Sequence, residues 1–266
     1  MAEREALSSE RIREHVIREG GLWHTVRVLD QTGSTNEDVA AFALRNEPEG
    51  LVTAADFQTT GRGRFDRQWV SPPRAGLIFS MLLRPVDVPR SRWGWVPLLV
   101  GTSLAVALSE ATEIETRLKW PNDLLLGARA RKAGGVRSEL AGDAIVVGVG
   151  VNVTTTMAEL PIAEATSLEL EGAWTVDRDV LIGHVLNQVE HDYRNWRQCH
   201  GNARTCGLVA AYRKRCATLG KDVTVTVPGG EAIVGKAVDV DGSGGLVLQT
   251  DSDRVTVAAG DVEHVR

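Results

Sequence analysis

After Leu219 the sequence changes texture, and this change limits the possible folds more than any other feature. KDVTVTV alternates apolar and polar residues strictly, PGG turns, AIVGKAVDV follows, DGSGG turns again, and LVLQT and RVTVA complete the set. Side chains on a strand point to alternate faces, so a period of two marks a strand with one buried side. Short strands at roughly 8–12-residue spacing predict a small barrel. The preceding chain mixes this pattern with helical and continuous apolar runs, so the reading divides the sequence into a larger unit, residues 1–219, and a small all-β unit, residues 220–266.

The larger unit mixes periods. Residues 24–30, HTVRVLD, alternate and predict a strand, whereas 51–56, 76–83 and 143–153 are apolar runs that predict buried strands. Residues 95–112 predict a long apolar-faced helix. Asp177 caps an amphipathic helix over 178–197, with Leu181, Val185, Val189, Tyr193 and Trp196 on one face. A shorter helix is expected over about 207–217, and residues 1–20 are polar with weak helical periodicity. Residues 117–126 read as a short strand around a Pro-Asn-Asp turn. Ser34 stands three residues before Glu37, the spacing of a capping box, which starts a helix over 36–45. Strands interleaved with helices and followed by an all-β tail make the fold class α+β, with a mixed sheet in the larger unit.

Composition excludes several functions. At 43% hydrophobic and 24% charged, the chain has ordinary globular usage. Its net charge of -5 lacks the basic footprint of a nucleic-acid binder, so no specific DNA partner is expected. No uninterrupted apolar run reaches the roughly 18 residues of a membrane span, and MAEREALSSERIREH lacks the apolar core of a signal peptide. The expectation is a cytoplasmic protein with no membrane partner. Cys199, Cys206 and Cys216 match no zinc spacing and fit a reduced compartment.

Five stretches carry chemistry. Gln58 opens QTTGRGRFDRQW, in which Arg62, Gly63, Arg64, Arg67 and Trp69 follow one another closely. Glycines let backbone approach a ligand, and arginine forks match phosphate and carboxylate oxygens. The run suits a small anion held by a mobile loop; a nucleic-acid backbone or plain solvent would suit the same charges. Lys119 to Asp123, KWPND, gathers a cation, an aromatic, the Asn122 amide and the Asp123 carboxylate at one turn, which serves a metal-phosphate, an amine, or only the turn itself. In RKAGG, Lys132 precedes Gly134 and Gly135 and lies either beside a ligand or on an exposed hairpin. GVGVNV, with Asn152, is not a dinucleotide fingerprint, because its third glycine position is Val153. Ser34, Thr35 and Asn36 put two hydroxyls and an amide at a helix N-terminus, where free N–H groups already offer donors to a neutral polar ligand.

In this order, GSTN, QTTGRGRFDRQW, LKWPNDLLL, RKAGG and GVGVNV resemble the biotin protein ligases, and the likeness runs from about residue 28 through the small barrel. The resemblance implies an α+β catalytic domain related to class II tRNA synthetases and lipoate ligases, followed by an SH3-like barrel. It implies ATP, Mg²⁺ and biotin as reactants and a biotin carboxyl carrier protein as acceptor. Ser34, Thr35, Asn36 and Gln58 then correspond to biotin contacts, and Gly135 lies against biotin. Arg62, Gly63 and Arg64 correspond to the loop over biotin and the phosphates, with Arg67 among the nucleotide-binding residues. Trp69 resembles the tryptophan near adenine, and Asn152 a nucleotide contact. Lys132 corresponds to the lysine between carboxylate and α-phosphate. Asn122 and Asp123 resemble the pair near magnesium-phosphate and the incoming lysine, so Lys132, Asp123 and Arg64 are the expected catalytic residues and Asp123 the expected metal ligand.

The chain departs from the family pattern at Arg137 and Ser138, which stand where an apolar strand usually continues. Only some thirty residues precede the Ser34 triplet, which points to the form without an N-terminal DNA-binding module. The rival readings are a lipoate or octanoate ligase on the same fold, a non-catalytic biotin sensor or repressor, and a nucleic-acid module.

Overall fold

The computed structural model describes residues 4–64 and 67–265; Phe65 and Asp66 of the arginine-rich motif lie outside the described residues. The chain opens with α1 (Ser9–Val16), capped by the Ser8 hydroxyl, which accepts from the Arg11 N–H. There follow β1 (Thr25–Leu29), α2 (Thr35–Ala43), β2 (Leu51–Ala55), β3 (Gly76–Leu83) and α3 (Trp95–Thr112). Next come β4 (Thr116–Lys119), β5 (Asp123–Leu126), β6 (Arg131–Ala141), β7 (Ala144–Asn152), α4 (Arg178–Gln198) and α5 (Leu208–Arg215). The tail holds β8 (Asp222–Thr226), β9 (Ala232–Val240), β10 (Leu246–Gln249), β11 (Arg254–Val257) and β12 (Asp261–His264).

β1 to β7 form one sheet in the order β1-β2-β3-β7-β6-β5-β4, in which β1 and β2 run parallel and the other pairs antiparallel. This is the mixed sheet of an α+β fold. β3 is buried along its whole length because elements cover both its faces, which explains its unbroken apolar run. α3 and α4 pack against each other, and α4 turns Leu181, Val185, Val189, Tyr193 and Trp196 inward, all fully buried. By length and composition α3 is apolar enough to cross a membrane, yet 72% of it is buried inside the fold, where it serves as the core helix.

β8 to β12 form a five-stranded antiparallel sheet, order β11-β10-β9-β8-β12. A bulge in β9 beside Val247 and Leu248 bends it, as closing a small sheet requires. The apolar core runs from one sheet into the other. The Trp95 indole donates to the Asp241 carbonyl at 3.0 Å and the Trp120 indole to the Gly244 carbonyl at 3.1 Å.

Two expectations need correction and a third, the doubt over the strand that carries Arg137, is answered. Residues 117–126 are not one strand around a turn but two strands, β4 and β5, paired across it. The capping box at Ser34 does not form: Ser34 makes no side-chain cap bond, and Gln58 Oε1 instead accepts from the Thr35 N–H at 2.8 Å. Glu37 turns away from the helix end to meet Arg62 at 2.7 Å. The strand after RKAGG does form, as β6, although its far half is only partly buried.

Candidate functional site

A cleft of about 470 Å³ opens over the middle of the mixed sheet. β3, β6 and β7 make its floor, where glycines keep the surface low. A methyl group on Gly148 would sit 2.1 Å from Asn36 Oδ1, and one on Gly150 would sit 2.8 Å from the Trp69 ring. Gly135 is similarly close under Asn122, whose carbonyl would be 2.9 Å from an added methyl. The walls are the start of α2, the arginine-rich loop, the turn between β4 and β5, a loop carrying Pro161, Ile162 and Ala165, and β12.

At one end the polar groups form a buried chain. Ser80 Oγ donates to Asn36 Oδ1 at 2.6 Å and lies 2.7 Å from Thr35 Oγ1. A hydroxyl has one proton, so with Ser80 committed to Asn36, the Thr35 proton is shared between Ser80 Oγ and Gln58 Oε1, the latter 3.1 Å away. Gln58 then takes the Thr35 N–H. Asn36 Nδ2 is left buried with no partner among the described residues. An unsatisfied buried donor costs about 1–3 kcal/mol, so this end is built to receive an acceptor such as a carbonyl oxygen.

At the other end the charges gather. Lys132 Nζ lies 2.6 Å from Asp123 Oδ1. Arg64 Nη1 donates to Asn122 Oδ1 at 3.1 Å and to the Gly260 carbonyl at 3.3 Å. Burial is the largest influence on Arg64 and lowers its pKa; the carboxylates of Asp261 and Asp123 oppose that shift. Arg67 pairs with Asp261 of β12. Six cations, Arg62, Arg64, Arg67, Lys119, Lys132 and Arg137, face three carboxylates, Asp123, Asp261 and Glu263, so the cleft is net positive in a net acidic protein. Such a field focuses anions. The described residues hold no cluster of three His, Cys, Asp or Glu side chains able to cage a metal.

Every residue singled out in the sequence lines this one cleft: Ser34, Thr35, Asn36, Gln58, Arg62, Gly63, Arg64, Arg67, Trp69, Asn122, Asp123, Lys132, Gly135 and Asn152. Their present contacts differ in detail from expectation. Asn152 Nδ2 is spent on the Thr166 carbonyl at 3.0 Å, so its amide nitrogen orders the neighbouring loop. Trp69 packs on Gly150, and its Nε1 is buried without a partner among the described residues. Sequence reasoning missed Arg137, the 161–165 loop and β12 as parts of the wall. Arg137 left a signal, a charge where the resemblance leads one to expect an apolar strand; the loop and β12 left none, since only the tertiary fold brings them here.

Residues 28–154 match the biotin/lipoate A/B protein ligase family, and residues 218–265 match the biotin protein ligase C terminal domain. The chain is similar to the biotin–[acetyl-CoA-carboxylase] ligase of Mycobacterium tuberculosis, with 39% identity over 99% of this chain and 97% of that one. It is 31% identical to a bifunctional ligase/repressor of Bacillus subtilis, over 88% of this chain and 72% of that one. Among solved structures, a biotin protein ligase from Aquifex aeolicus in complex with biotin and ATP superposes with a TM-score of 0.74 at 30% identity, covering 92% of this chain and 100% of that one. The five motifs, the two sheets and a likeness that spans nearly the whole of both chains agree: this chain belongs to the biotin protein ligase family.

Proposed function

We propose that this cleft binds biotin and ATP side by side, joins them as biotinyl-5′-AMP, and passes the biotinyl group to a lysine of a biotin carboxyl carrier protein domain. The observation that carries this reading is the polarity of the cleft. One end holds a hydrogen-bonding cradle with a spare donor, Asn36 Nδ2, and the other holds Lys132, Arg64 and Asp123. A ureido carbonyl fits the first end and a carboxylate meeting a phosphate fits the second. Biotin has both groups, joined by an apolar middle.

In the first step a biotin carboxylate oxygen attacks the α-phosphorus of ATP. A P–O bond forms, the bond to the β-phosphate bridging oxygen breaks, and pyrophosphate leaves. Lys132, Arg64 and Arg62 stabilise the charge on the phosphoryl oxygens. In the second step the carrier lysine, as the free amine, attacks the acyl carbon. The amide forms and AMP leaves, and Asp123 accepts the amine proton. The mixed anhydride between the steps is prone to hydrolysis, so the loop bearing Arg62 to Trp69 serves to exclude water. Trp69 on Gly150 gives an aromatic wall for the adenine.

Magnesium accompanies ATP, and the donor set here does not form a protein cage for it. Asp123 commits Oδ1 to Lys132, and no third ligating side chain joins it among the described residues. Such an ion would take most of its oxygens from the triphosphate and water, and no step above runs through it. The test is biotin- and ATP-dependent labelling of a carrier domain by purified protein, with pyrophosphate release measured in parallel. Labelling that needs both substrates supports the reading; release that ignores biotin overturns it, and lipoate outcompeting biotin moves the specificity to the lipoate ligases.

A further inference from the structure

Arg137 is a cation on a strand whose neighbours are apolar or small, and its position in the sheet explains why it matters. Alternate residues of a strand share a face, so Gly135, Arg137 and Glu139 look the same way. Arg137 is in register with Gly148, the glycine beneath Asn36, and it lines the cleft. Its Nη1 donates to the Gly63 carbonyl, and its Nη2 lies 3.5 Å from Glu139 Oε2.

Gly63 belongs to a segment folded back on itself. The Trp69 N–H donates to the Gly61 carbonyl at 2.8 Å, Arg62 bridges Gln68, and the Gly63 N–H donates to the Arg67 carbonyl at 2.6 Å. This small ribbon reaches the surrounding protein by several side chains of unequal worth. Arg64 reaches Asn122 Oδ1 and the Gly260 carbonyl, while Arg62–Glu37 and Arg67–Asp261 tie down arginines that are 59% and 64% exposed, and pairs of that kind contribute little. Arg137 is 30% exposed and bonds a main-chain oxygen, so it fixes the backbone of the loop rather than one of its side chains.

We propose that Arg137 is a positioning residue that clasps the arginine-rich loop over the cleft through the Gly63 carbonyl and so retains the acyl-adenylate until the carrier lysine arrives. This rests on the biotin-ligase reading of the cleft. Arg137 acts through the loop and not on the reacting atoms, so its loss acts on retention more than on bond making. A hydrogen bond from a charged group is worth about tenfold to a hundredfold in an equilibrium constant.

The experiment uses the full chain with Arg137→Met, which keeps most of the side chain's bulk, and Arg137→Lys, which keeps one donor. Labelled biotinyl-5′-AMP is bound and chased with excess unlabelled compound, single-turnover pyrophosphate release is followed separately, and amide exchange is read over residues 61–64 without ligand. Arg137→Met is expected to release the adenylate about tenfold to a hundredfold faster, to slow adenylation by much less, and to lose amide protection at Gly63 and Arg64. Arg137→Lys is expected to fall between it and the parent. Release and amide protection equal to the parent in Arg137→Met overturn the clasp, as does an adenylation defect as large as the release defect. Failure of the parent protein itself to make biotinyl-5′-AMP strikes the proposed function instead, and the exchange arm still decides whether Arg137 holds the loop.

Discussion

The Lys132 ammonium and the Asp123 carboxylate meet at 2.6 Å between β5 and β6, at the bulge that shifts their register. The two groups proposed for separate steps therefore hold each other before substrate arrives. A carboxylate and a phosphate entering the cleft compete with Asp123 for the lysine, and as the lysine turns to them Asp123 becomes available to the incoming amine. Lys132→Gln removes a fixed cation from the place where charge moves, which typically costs about a hundredfold to a thousandfold in rate. Adenylation is expected to slow by that factor while biotin affinity changes less, and transfer from preformed biotinyl-5′-AMP suffers less than adenylation. Single-turnover assays of the two half-reactions check this, and adenylation at the parent rate removes Lys132 from the mechanism.

Gly148 is the second test point. An added methyl would meet Asn36 Oδ1 at 2.1 Å and Ser80 Oγ at 3.2 Å, so Gly148→Ala must push the Asn36 amide out of its cradle. The fold should survive, since overpacking of this kind costs about 1–3 kcal/mol. Biotin affinity is expected to fall by about tenfold to a hundredfold, the worth of one or two misplaced hydrogen bonds. Calorimetric titration with biotin reads this directly, with circular dichroism as the control. Unchanged affinity would mean that Asn36 does not meet the ligand.

What could be read from the sequence divides by the range of the interaction. The inward face of α4 and the buried run of β3 follow from periods of 3.6 and from continuous apolarity, both local properties. The site motifs were legible because each carries its chemistry within a few residues. The end of α2 was misread because its cap comes from Gln58, 23 residues away from Thr35, which no local spacing can announce. Nothing near the loop arginines in the sequence announces their partners, yet the structure gives Arg62 to Glu37, Arg64 to Asn122 and Arg67 to Asp261. Those partners come from α2, the β4–β5 turn and β12, three segments that no local pattern ties to the loop. Asp261, Val262 and Glu263 read as an ordinary barrel strand because nothing in DVEH distinguishes a cleft wall from a solvent edge.

Arg178 tests the frame beneath the site. It starts α4, is 6% exposed, and reaches Asp56 Oδ1 at 2.7 Å, the Glu5 carbonyl at 2.5 Å and the Gly76 carbonyl at 3.3 Å. Asp56, 4% exposed, also accepts from the Leu7 N–H. One ion pair thus ties the N-terminal segment, the end of β2, the start of β3 and α4. Removing Arg178 leaves the buried Asp56 facing the more distant Arg74 Nε, at 3.6 Å, so Arg178→Met is expected to destabilise by about 3–5 kcal/mol. Arg178→Met with Asp56→Asn is expected to cost less than the sum of the two single changes. Urea midpoints of the four proteins decide it, and strict additivity would show that the pair is not coupled.

Glu159 gives the fold a pH signature. The Arg4 guanidinium grips both its oxygens, at 3.1 and 2.6 Å, and the Thr156 N–H donates to it at 2.9 Å. These bonds, Arg4 first, hold its pKa down to about 2, below the ordinary 4.5. A carboxyl with a depressed folded pKa binds fewer protons folded than unfolded across that interval. Its stabilising contribution is therefore fully present above 4.5 and declines as the pH falls towards about 2. Glu159→Gln keeps the shape and removes the charge, so the parent should be the more stable protein at pH 7, with the gap closing as the pH drops from 4.5 towards 2. Paired urea titrations at pH 7, 4.5 and 3 follow that gap. A gap that stays constant, or widens in acid, would show that Arg4 does not hold Glu159 in solution.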